Sequence, residues 1–194
     1  MNKEDTLILF GRSPYINGIR KYIPQICQKW HTMGVNSFCN VYPQVEYVIF
    51  NDKNADVEFT PKHRVIANIL RSNITEKNGQ KLEKHLNKEF YFCAKKKFFE
   101  EDLNQKKLSF FSHTPSMALN WAYLNGFKNV VLIGIDLTPT GHFDKPDFIL
   151  NWDEKRIKET KEHIEFINGK YLNLYKTNQK NEIDIPFVKI GDLI

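Results

Sequence analysis

Short apolar runs alternate along this chain with segments whose apolar residues recur at helical spacing. TLILF (6 to 10) carries no charge and stops at Gly11, the pattern of a strand covered on both faces. INGIRKYIPQICQKW (16 to 30) has helical spacing, with Pro24 predicted to kink it or divide it in two. GVNSFCN (34 to 40), EYVIFND (46 to 52), HRVIANIL (63 to 70) and EFYFCA (89 to 94) read as further strands, and GQKLEKHLNKE as a polar-faced helix before the last of them.

The clearest signals lie in the second half. A strand-like run is followed at once by SHTPSMALNWAYLNG, in which Thr114 suits the N-cap, Pro115 the first helical position and Gly126 the stop. NVVLIGID (129 to 136) is β-branched and uncharged until Asp136. DEKRIKETKEHIEFING (153 to 169) is an amphipathic helix with Ile157, Ile164, Phe166 and Ile167 as core candidates, and KYLNLYKTN supplies a final strand. Strands alternating with helices imply parallel pairing through right-handed crossovers. The expected fold is α/β: a single Rossmann-like domain over residues 1 to 194, its mostly parallel sheet covered by helices on both faces.

Length agrees, since 194 residues suffice for one domain with a sizeable core. The net charge is +5, but the basic residues are scattered among 23 acidic ones, which disfavours a nucleic-acid groove and keeps small anionic ligands in view. Cys27, Cys39 and Cys93 are widely spaced, indicating neither a disulfide framework nor a zinc cluster, and a reducing cytoplasm fits best. The N-terminal residues lack the pattern of a signal peptide, and no run of about twenty apolar residues occurs. Peripheral membrane contact and oligomerisation stay open.

In sheets of this kind ligands bind outside the carboxyl ends of the strands. Five stretches fall there: FGRSPY, VNSF, FNDKN, SHTPS and GIDLTPTGHFD, which contains Thr138. All are rich in turn-forming polar residues, so each alone also reads as an ordinary turn. The helix beginning near Thr114 offers unpaired N–H groups and the positive end of its dipole, a seat for an anion as well as a cap. Among the histidines, His142 is best placed for general-base work, because a loop after a buried strand can aim it into the cleft. His113 is expected either to face a phosphate or to cap backbone, and His163 to hold a solvated or edge position. His142, Asp144 and Asp147 lack the spacing of a known metal loop, so no metal and no cofactor is assigned. AKKKFFEED (94 to 102) reads as a solvated junction.

LILFGRSPYI resembles the strand-glycine-Ser-Pro opening of bacterial sialyltransferases of the Campylobacter type and of related flagellin-modification and pterin-pyrophosphokinase-like proteins. GVNSF and YVIFND are similar to their second and third strands, SMALNWAYLNGFKNVVLIGIDL to their helix, turn and Gly-Ile-Asp strand, and HIEFINGKYLNLYKTN to their late helix and strand. The resemblance implies a cytidine monophosphate sugar as donor, a glycan or other hydroxyl as acceptor, and no obligatory metal. It places Gly11, Arg12, Ser13 and Pro14 at the turn near the donor, Asn36 and Asn51 in contact with nucleotide or sugar, His113 and Thr114 at the phosphate-facing turn, and Asp136 beside the pocket. The chain departs from the family in having Arg12 and Ser13 where Asn and a second glycine stand. It also lacks the two phosphate-site tyrosines after Gly-Ile-Asp, and its counterpart to the general-base histidine falls near Lys155.

Three readings follow. The first is a glycosyltransferase in which Arg12 and the 113 to 114 turn steady the leaving phosphate while His142 deprotonates the acceptor. The second is a pyrophosphokinase-like enzyme, with Asp52, Asp136 or Asp144 as candidate metal ligands. The third is an accessory module that keeps the fold without the chemistry.

Overall fold

TLILF, YVIF and NVVLI carry no charged residue, and they assemble accordingly into the interior of a sheet. The computed structural model describes residues 1–51, 56–68, 82, 84–94, 107–109, 113–137, 141–147 and 154–194. The strands are β1 (Thr6–Phe10), β2 (His31–Val35), β3 (Tyr47–Phe50), β4 (Arg64–Asn68), β5 (Lys88–Ala94), β6 (Lys107–Ser109), β7 (Asn129–Ile133) and β8 (Asn173–Lys176). They lie in the order β6-β5-β4-β3-β2-β1-β7-β8, every neighbouring pair parallel. The single-sheet Rossmann-like α/β architecture expected from the sequence is therefore the one observed, with TLILF and NVVLI adjacent and central, in register from Thr6 beside Asn129 to Phe10 beside Ile133.

Helices cover both faces. On one side α1 (Ile16–Ile19), α2 (Ile23–Lys29) and α3 (Phe38–Val41) bury Ile16, Ile23, Ile26 and Phe38 against Ile8, Phe10, Val48, Val131 and Ile133. On the other, α4 (Thr114–Leu124) and α5 (Glu154–Ile167) bury Met117, Leu119, Trp121, Ile164 and Ile167 against Leu7, Leu9, Met33, Ile49 and Leu132. The helices change face where the strand order reverses, as right-handed crossovers require. That reversal lies between β1 and β7, and it opens a crevice at their carboxyl ends.

Several expectations need correction. The 16 to 30 helix divides at a 3-10 turn, Arg20–Tyr22, and Pro24 lies in the first turn of α2, where its missing N–H costs nothing. GVNSFCN is not a strand throughout. β2 ends at Val35, Asn36 adopts a positive φ of 53°, and Ser37 leads into α3. In α5, Phe166 is 42% exposed and Ile157 half-buried, while Thr160 and His163 occupy the inner face with Ile164 and Ile167. Of GQKLEKHLNKE, residues 79–81 and 83 lie outside the described residues, Leu82 and Lys84 are helical as expected, and Lys88 and Glu89 already belong to β5; all of AKKKFFEED after its Ala94 lies outside the described residues.

Candidate functional site

Two glycines bring β1 and β7 together at the crevice. The Gly11 N–H donates to the Ile133 carbonyl at 2.8 Å and the Ser13 N–H to the Gly134 carbonyl at 3.0 Å. A Cβ on Gly11 would collide with the Gly134 carbonyl oxygen and stand 2.6 Å from Ile135 Cγ1. Gly134 has φ +70°, and a side chain there would meet Ile16 at 2.8 Å. The Gly11 requirement is thus one of space, and that of Gly134 one of both space and conformation. Gly11→Ala is expected to cost roughly 1–3 kcal/mol, since the collision is with backbone that cannot rotate away. A melting temperature unchanged from wild type would show that the two strand ends can part freely.

Polar side chains then tie the loops after these strands to one another. Asp136 accepts from the Ser13 hydroxyl on Oδ2 and from Asn181 Nδ2 on Oδ1 at 3.2 Å, and Asn181 also donates to the Ile135 carbonyl at 2.8 Å. The Ser13 hydroxyl oxygen receives the Tyr15 N–H at 3.2 Å, and the Tyr15 hydroxyl donates to the Thr177 carbonyl at 2.8 Å. Burial, with a smaller push from the Asp136 charge, raises the Tyr15 pKa and keeps the phenol neutral. Leu137, next to Asp136, has φ 53°, a conformation costly for a residue with a branched side chain.

Arg12 carries the positive charge of this loop, and it is engaged. Its Nε donates to Asp144 Oδ1 at 3.2 Å and its Nη2 to both carboxylate oxygens at 2.7 Å, with the two side chains only 12% and 15% exposed. The segment 141–147 that brings Asp144 here is fastened by the Phe143 N–H to the Arg12 carbonyl at 2.9 Å. Phe143 itself is buried against the Phe38 and Tyr42 rings. His142 lies half-buried in the same segment, paired through its backbone with Lys145. Burial, and then the nearby Arg12 charge, lower its pKa to about 4, so the imidazole is neutral at pH 7.

A second polar cluster stands at the start of α4. His113 rather than Thr114 is the N-cap, its Nδ1 accepting the Ser116 N–H at 2.9 Å, and Pro115 is the second helical residue. The Ser116 hydroxyl lies 3.0 Å from His113 Nδ1 and 3.1 Å from His163 Nδ1. His163 is therefore not at the solvated or edge position that the sequence suggested. It is 5% exposed, on the inner face of α5. The spacing of Thr160, His163, Ile164 and Ile167 held the signal, because these positions share one side of a helix. Burial, with the neighbouring His163 and Arg156, lowers the His113 pKa to about 3.

Gly11, Arg12, Ser13, Asn36, Asn51, His113, Thr114 and Asp136 thus all stand on the carboxyl edge of the sheet, following β1, β2, β3, β6 or β7. Hydrogen bonds join the first three to the loops after β7 and join Asn36, through its N–H, to the Ile49 carbonyl of β3 at 2.8 Å. The His113 cluster sits on the same edge in a network of its own. Thr138 and Asp52 lie outside the described residues. Asn181 and Tyr15 carried no signal in the sequence, since only the fold brings residues 177 to 181 beside β7. A groove of about 510 Å³ lined by Trp30, His31, Glu46 and Lys62 opens at the opposite, amino-terminal edge and has no part in this crevice.

No protein-family model matches the chain, and no curated protein matches it in sequence. Among solved structures it is similar to the MAf glycosyltransferase from Magnetospirillum magneticum AMB-1, with a TM-score of 0.68 at 13% identity. The alignment covers 98% of this chain and 34% of that one, so the chain spans about a third of the length of its neighbour. The likeness is one of fold. Among the described residues no helix is long and apolar enough to cross a membrane.

Proposed function

We propose that this chain is a glycosyltransferase-like domain that binds a nucleotide-activated sugar, of the cytidine monophosphate type, in the crevice between β1 and β7 and transfers the sugar to a hydroxyl acceptor without a metal. The observation that carries the reading is the convergence at the switch point of a glycine contact, an oriented guanidinium and a neutral imidazole. The fold shared with a glycosyltransferase supports it. Charge favours a monophosphate donor over a diphosphate one. Arg12 is offset by Asp144, and Asp136 adds a further carboxylate, so these three groups together carry one negative charge, and the second charge of a diphosphate is disfavoured more than the single charge of a phosphodiester.

In this reading Arg12 steadies the departing phosphate and His142 accepts the acceptor's proton, while Asn36, Asn51, His113, Thr114 and Thr138 hold nucleotide and sugar. An imidazole with a pKa near 4 is available in its basic form throughout the neutral range. A base already unprotonated at pH 5 gives no acid limb near 6.5. Turnover should therefore stay level between pH 6 and 8 in wild type, and His142→Gln should lower it by about a hundred- to ten-thousand-fold with donor affinity nearly intact. Equal turnover in the variant removes His142 from the mechanism.

A nucleotide panel tests the donor. A ligand that binds only the folded state stabilises it by about 2.7 kcal/mol at a hundred times its dissociation constant. Stabilisation by cytidine monophosphate in the presence of EDTA is the expected result. Stabilisation only by a purine triphosphate with magnesium supports the pyrophosphokinase-like enzyme instead, and no shift with any nucleotide supports an accessory module.

A further inference from the structure

The Arg12–Asp144 contact is made along one edge of the guanidinium. Nε and Nη2 serve the carboxylate, whereas Nη1 has no hydrogen-bond partner among the described residues. A guanidinium offers five N–H donors in a planar fork, so a carboxylate on one edge fixes the plane while the rest stay available to a second anion. The loop bearing Asp144 is itself held. His142 and Lys145 exchange backbone hydrogen bonds, the Arg20 guanidinium lies 5.8 Å from the Phe143 ring centroid and donates to its carbonyl at 3.4 Å, and Gly141 packs so closely on the Pro146 carbonyl that no side chain would fit. A carboxylate on so fixed a support orients its partner more than it follows it. The alternative arrangement, a bare arginine reaching from a mobile loop, would lose far more side-chain freedom on meeting a ligand.

We propose that Asp144 is a positioning residue for anion recognition: it holds the Arg12 guanidinium by its Nε–Nη2 edge so that Nη1 takes a phosphate oxygen of the ligand at the β1–β7 crevice. This inference rests on the reading that the crevice receives a nucleotide phosphate. It adds that the binding unit is the pair and not the arginine alone, so the carboxylate next to the phosphate strengthens its binding. Simple charge counting predicts the reverse, since removing a negative group beside an anion site should tighten it.

The experiment uses the whole chain with cytidine monophosphate, cytidine and inorganic phosphate as probes. The Arg12 Nε–H resonance is identified by its loss in Arg12→Lys. In wild type both cytidine monophosphate and phosphate should shift it, and cytidine should not. Asp144→Asn, which keeps the shape and one acceptor oxygen, should weaken cytidine monophosphate on the order of tenfold, about the worth of one charge-assisted hydrogen bond. Cytidine affinity should stay within about twofold, which a merely structural role of Asp144 would not allow. Asp144→Glu, with the charge kept and displaced by one methylene, should fall between. Tighter binding of cytidine monophosphate by Asp144→Asn would overturn the proposal and make Asp144 a competitor. So would an equal loss for cytidine. The wild-type titration decides even if the Asp144 variants do not fold: an Arg12 resonance unmoved by either anion, while cytidine monophosphate still raises the melting temperature, sinks the positioning role and leaves the nucleotide reading standing. No response of any kind to the nucleotides sinks both.

Discussion

Ile133→Asp is expected to leave the chain unfolded at neutral pH. Ile133 is fully buried on β7, in register with Phe10 of β1, and its side chain belongs to the cluster that includes Ile8, Phe10, Ile16 and Ile19. A carboxylate at that point meets only apolar side chains and must either remain charged without a partner or take up a proton at the expense of folding. An uncompensated buried charge costs several kcal/mol, set against a stability of roughly 5–15 kcal/mol for a domain of this size. Lost packing adds to this, because a core residue removed from such a cluster leaves its neighbours without contacts. Ile133→Val serves as the companion measurement and should lower stability by only about 0.5–1.5 kcal/mol. Circular dichroism and a urea transition on the three proteins check this. A wild-type transition for Ile133→Asp would mean that β7 is not at the centre of the sheet.

The central strands were legible for the same reason that this substitution is severe. TLILF and NVVLI lack both charge and alternation, and in the structure both lie between neighbours under helices on each face. Gly11 and Gly126 were readable because each sits where a strand or helix must stop, and Gly126 does adopt a positive φ, 83°, just past α4. What the sequence concealed was pairing at a distance. Arg12 and Asp144 are 132 positions apart, and nothing in either neighbourhood marks the other as its partner. The same holds for Ser13 with Asp136 and for Ser116 with His163, 47 positions away. The misreading of GVNSFCN had a local cause. Gly34 and Val35 continue a strand, but Asn36 accepts the left-handed conformation more readily than most residues, and one such position is enough to turn the backbone out of the sheet into α3.

Acidification should destabilise the protein well above the range in which its carboxylates titrate, and His113→Asn should remove much of that effect. In the folded state burial holds the His113 pKa at about 3, against about 6.5 in an unfolded chain. Between these values the unfolded state binds the proton and the folded state does not. Stability thus rises with pH in this window, is fully present above about 6.5, and falls as pH drops toward 3. At about 1.36 kcal/mol per unit, the difference over the whole window amounts to about 5 kcal/mol, a large share of the total margin. The structural consequence is local at first. A protonated Nδ1 can no longer accept the Ser116 N–H, so α4 loses its cap, and the Ser116–His163 contact loses its fixed partner. The α4 terminus would then fray at the edge of the sheet where the ligand is proposed to bind. Asparagine caps helices well and does not titrate, so His113→Asn should stay within about 1 kcal/mol of wild type at pH 7 and overtake it by pH 4. His142, with its pKa near 4, acts in the same direction, and the His113→Asn, His142→Gln double variant should be flatter still. Urea midpoints measured at pH 7, 5 and 4 give the answer as a difference between proteins, in which the shared contribution of the carboxylates cancels. A gap between wild type and His113→Asn that does not change with pH would mean that His113 is hydrated in the folded state and that the α4 cap is not the acid-sensitive joint of this fold.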